Sequence, residues 1–352
     1  MNQPKRDLGD AMTENLNRSL VLVSRPEGLV GDDNFELRSG PVPTPGDGEV
    51  LIRVTWLSFD PTQRGWLLPG GTYKAPLELG EVMQAYAVGQ VVESNNSKFK
   101  PGVHVQGMLS WQDWHVSDGT DLMIVPEGVE PKAMLGVYGT TGLTAYFGLT
   151  DVGQPVAGET VVVSGAAGAT GSVVGQIAKI LGCRVIGVAG GSEKCSWLVE
   201  RAGFDAAIDY KSQRVGARLD ELAPDGVDVF FDNVGGETLN SVLKRIRRHA
   251  RIVLCGSIST GYVPGHLPPG PSNYFNLCLR SSRMQGFLLG DYRERFEEGR
   301  RTMRDWVEAG RIVYEEDIQE GLENAPKTLR RLFEGANLGK QLLKVADPPL
   351  AG

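Results

Sequence analysis

The chain has 352 residues, of which 41% are hydrophobic and 22% charged, and its formal net charge is −7. This describes an ordinary globular protein of two domains, or one large one, with enough apolar residues for a substantial core. The acidic balance gives no electrostatic footing to a nucleic-acid partner. No apolar run approaches the ~20 residues of a membrane-spanning helix, so no membrane partner is expected.

Residues 1–18 are polar and lack the apolar core of a signal peptide. They are expected to form a flexible extension, with Met12 as an alternative start, and export is not expected. From residue 19 to 135 short β segments alternate with Gly and Pro, at Ser19–Val23, Glu49–Leu57, Ala85–Val92 and Val103–Met108. Turn signals at 45–48 and 101–102 separate them, and the spacing predicts a small antiparallel barrel. From residue 136 to 311 the rhythm becomes strand–helix alternation. Strands are predicted at Val161–Ser164, Arg184–Ala189, Ala206–Asp209, Val227–Phe231, Arg251–Cys255 and Met284–Leu289. Six such strands predict a doubly wound parallel sheet, so the fold class is α/β. Residues 312–352, with a helix at Leu322–Leu332 and a strand at Gln341–Val345, are expected to return to the barrel.

The strongest local signal lies at residues 161–179. The apolar run Val161–Val163 leads into Gly165, Gly168 and Gly171, and a helical stretch through Ile177, Ile180 and Leu181 follows. Strand, glycine turn and helix in that order form a dinucleotide-binding crossover. The glycines let the backbone turn sharply, and the unpaired N–H groups opening the helix accept a pyrophosphate. At the tip of the second strand an acid would bind a ribose hydroxyl, as in NAD sites. Here Gly190 and Gly191 are followed by Ser192, Glu193 and Lys194. A lysine there meets a 2′-phosphate and leans the reading to NADPH, while Glu193 reads as a first-turn helix acid.

Cys183, Cys195, Cys255 and Cys278 stand singly, and His104, His115, His249 and His266 show no metal-ligand spacing. This argues against a disulfide framework and against zinc, and it fits a reducing cytoplasm. The cysteines read as small buried apolar residues. Arg245, Arg247 and Arg248 read as a solvated basic face.

Several further motifs carry a family resemblance. They are Leu57-Ser58-Phe59-Asp60-Pro61, Ser110-Trp111-Gln112-Asp113, the run from Gly139 to Gly148, and Ala166-Ala167-Gly168-Ala169-Thr170-Gly171-Ser172. Asp232-Asn233-Val234-Gly235-Gly236, Leu267-Pro268-Pro269-Gly270-Pro271 and Asn337-Leu338-Gly339-Lys340 complete the set. With these, residues 19–346 resemble a zinc-independent medium-chain dehydrogenase/reductase of the prostaglandin, curcumin and alkenal double-bond reductase group. The resemblance implies a GroES-like β-barrel catalytic domain (19–135 and 312–352) and a Rossmann domain that binds NADP (136–311). It implies that Gly168, Ala169, Thr170 and Gly171 cradle the pyrophosphate, and that Lys194 holds the 2′-phosphate with Tyr210 beside it. Asn233 would meet the cofactor. Cys255, Gly256 and Ser257, within the stretch to Gly261, would line the nicotinamide side, with Phe287, Leu288 and Leu289 at the sixth-strand edge. Asn337 would close the site, and two copies would pair through the nucleotide domain as a homodimer. The zinc-binding Gly-His-Glu segment is replaced by Gly80-Glu81, which supports a metal-free mechanism.

The implied activity is NADPH-dependent reduction of the activated double bond of an apolar enal or enone. Hydride transfer needs the protein to orient substrate and to stabilise an enolate oxygen, which a tyrosine hydroxyl does. At one of the family's two tyrosine positions this chain has Thr62. At the other, in the loop after the fifth strand, Tyr262 matches or lies one place away. Tyr262 is therefore expected to polarise the carbonyl, with Thr62 shaping the pocket or donating weakly. The competing reading has Tyr262 pack at a dimer edge or cap the pocket. Trp111, Trp114, Tyr73 and Tyr86 read as barrel core or as lining of an apolar cleft. Arg64 reads as an anchor for an acidic substrate or as a surface ion-pair partner. Two other functions remain open from sequence: an NADPH quinone reductase, and a nucleotide-binding redox sensor with little catalysis.

Overall fold

A computed structural model describes residues 16–69, 74–261 and 270–350. The chain divides into two compact units. One comprises residues 1–135, 318–330 and 342–352, and the other residues 136–317 and 331–341.

In the first unit, β1 (Leu16–Leu22) and β2 (Phe35–Pro41) form a separate antiparallel pair. β3 (Val50–Ser58) is followed by the short helix α1 (Thr62–Trp66), then β4 (Tyr86–Ser94), β5 (His104–Met108), β6 (Trp114–Ser117) and β7 (Met123–Ile124). β3 and β4 pair antiparallel with two register shifts, at Leu51/Ile52 and Val54/Trp56. Such bulges bend a sheet and raise its twist. On β3 the residues Val50, Ile52, Val54 and Leu57 are fully buried.

In the second unit, α2 (Thr140–Phe147) leads to a six-stranded sheet. Its strands are β8 (Thr160–Ser164), β9 (Arg184–Ala189), β10 (Ala206–Asp209), β11 (Val227–Asp232), β12 (Ile246–Leu254) and β13 (Arg283–Gly286). The spatial order is β10-β9-β8-β11-β12-β13, with all five neighbouring pairs parallel. This is the 3-2-1-4-5-6 order of a doubly wound dinucleotide fold, whose ligands bind beyond the carboxyl ends of the strands. α3 (Ala169–Ile180), α4 (Ser192–Glu200), α5 (Val215–Leu222) and α6 (Gly236–Leu243) connect the strands, and α7 (Asn276–Leu279) and α8 (Phe296–Glu308) follow. Val162, Ile186, Ile208, Phe230 and Ile252 form one buried face with Leu219 of α5 and Leu239, Val242 and Leu243 of α6. Burial on both faces explains why these strands read as unbroken apolar runs.

Two strands of this sheet differ from expectation by more than one residue at an end. β12 starts five residues early because Ile246 pairs with Val227 across an irregularity, and His249 has a positive φ of 65° within it. The polar run Arg247–His249 hides this start, since Arg245 is held by Asp220 at 2.6 and 2.7 Å and Arg247 by Asp228 at 3.3 Å. β13 stops at Gly286, so Phe287–Leu289 lie beyond the strand, where a 3-10 turn begins at Leu289.

The C-terminal segment does not return wholly to the first unit. β14 (Glu316–Glu320), α9 (Ala325–Glu334) and β15 (Lys340–Lys344) follow α8. Residues 331–341, however, are grouped with the nucleotide unit. The reason is backbone hydrogen bonding to that unit: the Gly339 N–H donates to Ala167 O at 2.8 Å, and Lys340 N–H to Glu315 O at 2.8 Å. The expected extension at residues 1–18 lies outside the described residues except for Leu16–Arg18, which begin β1.

Candidate active site

The glycine turn has the geometry its sequence demands. Gly165 has φ +56°, and a Cβ on Gly171 would lie 2.4 Å from the Gly165 carbonyl oxygen and 2.8 Å from the Ala166 Cα. Both contacts are to backbone, so no side chain fits at Gly171. Gly168 is the N-cap of α3, and the first helical bond runs from Ser172 N–H to Gly168 O at 3.0 Å. The N–H groups of Ala169, Thr170 and Gly171 therefore have no intrahelical acceptor and open an anion site.

At the tip of β9, α4 begins after Gly191, whose φ is +101°. Lys194 is half-buried, and its Nζ donates to the Gly335 carbonyl at 2.8 Å. That is its one hydrogen bond among the described residues, and no carboxylate pairs with it. An ammonium has three donors, so two are left for a ligand. Burial pushes the Lys194 pKa below the ordinary lysine value; Lys211 and Arg331 add to the shift, while Asp317 and Glu193 oppose it. Glu193 is exposed in the first turn of α4. Tyr210 is 51% exposed, and its ring lies against Gly190, where a Cβ would come within 2.9 Å of it.

Asp209 was not singled out from the sequence, yet it builds this tip. Its Oδ1 accepts from Gly191 N–H at 2.7 Å and Lys211 N–H at 3.0 Å, and its Oδ2 from Ser212 Oγ at 2.8 Å. Those donors, Gly191 first, hold its carboxyl below the usual range. The sequence signal for it was its place at the end of a predicted strand. Arg331 was also missed: it donates to Asp317 at 2.7 Å and to Gln341 at 3.1 Å, tethering the 331–341 segment. Within that segment Asn337 Nδ2 donates to Gly339 O at 3.0 Å, and Gly339 bridges to Gly168. Asn337, Gly335 and the glycine turn are thus brought together, as are Lys194 and Tyr210.

At the ends of β8, β11 and β12, Asn233 N–H donates to Ser164 Oγ at 2.8 Å and Asn233 Nδ2 to Ser164 O at 2.7 Å. Cys255 and Gly256 follow on the neighbouring strand, and both N–H groups donate to Asp232 O, at 2.9 and 3.1 Å. Burial, with the nearby Asp232 carboxylate, pushes the Cys255 thiol up to about 12, so it stays protonated at neutral pH. Ser257 begins a turn in which Thr260 Oγ1 donates to Ser257 O at 2.7 Å. Phe287 packs edge-on to Tyr292 with centroids 6.3 Å apart, and Leu288 is 51% exposed.

In the first unit, the turn carrying Thr62 is pinned by side chains. Ser58 Oγ donates to Asp60 Oδ2 at 2.7 Å, Asp60 N–H to Gln63 Oε1 at 3.0 Å, and Gln63 Nε2 to Ser58 O at 3.2 Å. Thr62 opens α1 and is partly exposed, and its hydroxyl has no partner among the described residues. Arg64 departs from both sequence expectations. It is fully buried and donates to the carbonyls of Pro26 at 2.9 Å and Gly28 at 2.8 and 3.1 Å, so it is a structural tie. Trp111 is fully buried between Phe35 and Phe59, with centroids at 5.1 and 5.5 Å, which is the core reading. Trp114 lies under the Arg53 guanidinium at 5.0 Å. Tyr262 and Tyr73 fall outside the described residues. Among the described residues no three His, Cys, Asp or Glu side chains are grouped to hold a metal ion, and no helix is long and apolar enough to cross a membrane.

This geometry has close counterparts. Residues 18–125 match the family model of the N-terminal domain of oxidoreductases, and residues 169–305 match that of zinc-binding dehydrogenases. The NADPH-dependent curcumin reductase of Escherichia coli is 43% identical over 94% of this chain and 97% of its own. Prostaglandin reductase 1 of Rattus norvegicus is 41% identical over 93% and 98%. The NADP-dependent 2-alkenal reductase of Nicotiana tabacum is 36% identical over 94% and 98%. The crystal structure of CurA from Vibrio vulnificus in complex with NADPH superposes with a TM-score of 0.89, at 41% identity over 94% of this chain and 100% of that one. The chain belongs to the zinc-independent medium-chain dehydrogenases/reductases, in the group of the curcumin, prostaglandin and 2-alkenal reductases.

Proposed function

We propose that this protein reduces the activated carbon–carbon double bond of α,β-unsaturated aldehydes and ketones with NADPH. The chain is an NADP-dependent oxidoreductase of this type. One observation in its own structure carries the cofactor reading: beside a glycine turn whose Ala169, Thr170 and Gly171 N–H groups have no intrahelical acceptor, Lys194 is held by a carbonyl and, among the described residues, has no carboxylate partner. A half-buried cation so placed is suited to a phosphate, and a ribose hydroxyl needs no such charge.

NADPH held by these residues would supply a hydride for the substrate β-carbon, and water would supply the proton for the α-carbon, giving the saturated carbonyl compound and NADP+. The residues of this chain do the rest. Ala169, Thr170 and Gly171 hold the pyrophosphate, Lys194 and Tyr210 the 2′-phosphate. Asn233 and Cys255–Ser257 hold the nicotinamide end, with Phe287–Leu289 beside it and Asn337 closing over the turn. Tyr262 donates a hydrogen bond to the carbonyl oxygen as negative charge develops there, and Thr62 leaves room for a bulkier substrate.

The reading is tested by following NADPH consumption against enals, enones and quinones, with NADH as comparator. Saturated carbonyl products with NADPH strongly preferred are expected. Turnover of quinones alone would move the protein to the quinone reductases, and tight NADPH binding without turnover would make it a nucleotide-binding protein.

The protein is further read as a cytoplasmic homodimer. β13 is an edge strand of the six-stranded sheet, and near it in sequence Tyr274, Phe275 and Leu279 are 63%, 59% and 67% exposed. Unpaired strand edges beside large exposed apolar side chains favour a second copy. Light scattering is expected to give twice the chain mass. Four free cysteines support a reducing compartment.

A further inference from the structure

We propose that Asp232 is a positioning residue whose carboxylate and main-chain carbonyl bind the ends of β8, β11 and β12 into one frame, holding Asn233 and the Cys255–Ser257 turn in register for the nicotinamide half of the cofactor. The proposal rests on the reading of the cofactor site given above.

Asp232 is 1% exposed and Ser164 is fully buried. The Asp232 Oδ1 accepts from Ser164 Oγ at 2.7 Å, Val234 N–H at 3.0 Å and Gly235 N–H at 3.0 Å, and its Oδ2 accepts from Gly235 N–H at 3.1 Å. Its main-chain oxygen takes the N–H groups of Cys255 and Gly256. Ser164 Oγ in turn accepts from Asn233 N–H, and Asn233 O accepts from Ile258 N–H at 3.3 Å. The ends of three adjacent strands at the carboxyl edge of the sheet, β8, β11 and β12, are therefore reached from this one residue or its first partner.

Among the described residues no cation faces the Asp232 carboxylate. Its charge is met by one hydroxyl and by the N–H groups of the loop that follows it. Positive φ values at Gly235 (+73°) and Gly236 (+57°) shape that loop. A buried carboxylate is costly unless its oxygens are hydrogen-bonded. Here that requirement is satisfied only when the 233–236 loop keeps its conformation, so the acid enforces the loop geometry. An amide would keep the Oδ1 bonds, but its NH2 would sit where Oδ2 receives the Gly235 N–H, placing donor against donor.

A frame at the nicotinamide end predicts an effect confined to that end. In the full-length protein, Asp232→Asn is compared with wild type for folding by thermal melting. It is then compared for affinity for 2′,5′-ADP, which lacks the nicotinamide, and for NADPH, and for kcat with an enone. We expect 2′,5′-ADP affinity to stay within about twofold, while kcat falls about tenfold or more and the advantage of NADPH over 2′,5′-ADP shrinks. Ser164→Ala removes only the hydroxyl shared by Asp232 and Asn233, and it should show the same pattern at several-fold; it decides the matter if Asp232→Asn does not fold. Unchanged kcat and NADPH affinity would overturn the proposal. Equal weakening of both ligands would also overturn it, since that marks a general loosening of the domain. Lys194→Ala serves as the separate control: if it leaves 2′,5′-ADP binding intact, the placement of the cofactor fails and the inference falls with it.

Discussion

Two turns, one in each unit, differ in what holds them. The turn at 165–171 is held by backbone. Gly165 occupies a positive φ, Gly171 has no room for a Cβ, and Gly168 caps the helix. The turn at 58–64 is held by side chains. Ser58, Asp60 and Gln63 bond within it, and Arg64 reaches to carbonyls 36 and 38 residues away. A backbone-held turn tolerates almost no substitution at its glycines, and the Gly339 N–H that reaches it from far along the chain is backbone too. A side-chain-held turn leaves its exposed position, Thr62, free to vary while its buried members are fixed by remote partners.

The largest effect is expected at the backbone-held turn. Gly171→Val should abolish NADPH binding and cost about 2–3 kcal/mol of stability, because the new side chain meets the Gly165 carbonyl. Titration with NADPH and a thermal melt read both, and near-wild-type binding would mean that the turn is looser than its geometry. Lys194→Ala comes next. Loss of a charge-assisted bond to phosphate should weaken NADPH about 10- to 100-fold and leave NADH nearly unchanged.

The same lysine sets a pH dependence. Its pKa is lowered, and the charged form is the one that binds phosphate. NADPH affinity should therefore be constant at low pH and fall as pH rises through the lowered pKa, sooner than for an ordinary lysine at about 10.4. The ratio of NADPH to NADH affinity, measured from about pH 7 to about 10, isolates this term; a flat ratio would exclude Lys194 from the phosphate.

At the side-chain-held turn, Arg64→Lys should cost about 1–3 kcal/mol in a thermal melt, since an ammonium cannot span the Pro26 and Gly28 carbonyls as the guanidinium fork does. The smallest effect on stability is expected for Thr62→Tyr, within about 0.5 kcal/mol at this partly exposed position. Its effect should lie in the order of preference across an enone panel, and an unchanged order would remove Thr62 from substrate selection.

Much of the nucleotide unit was legible because its constraints are local. Three glycines, an apolar strand and a helix mark a dinucleotide-type crossover within nineteen residues, 161–179, and Lys194 stands at a strand tip defined by the same pattern. The supports of that site were not legible in the same way. Asp209 reads as an ordinary strand-end acid until Gly191 N–H is seen on it. Asp232 sits in a quoted motif, but only its neighbour Asn233 carried a role. Arg64 offered two roles on paper, and the structure shows a third.

The class of fold and the crossover that starts the parallel sheet can be read from the chain alone, because periodicity and glycine chemistry act over a few residues. That residues 331–341 lie with the nucleotide unit, that Gly335 presents its carbonyl to Lys194, and that Asp232 joins three strand ends are seen first in the folded chain. Each of these depends on hydrogen bonds between residues far apart in the chain, 141 positions for Lys194 and Gly335. A donor or acceptor in a sequence carries no record of which distant partner the fold will bring to it.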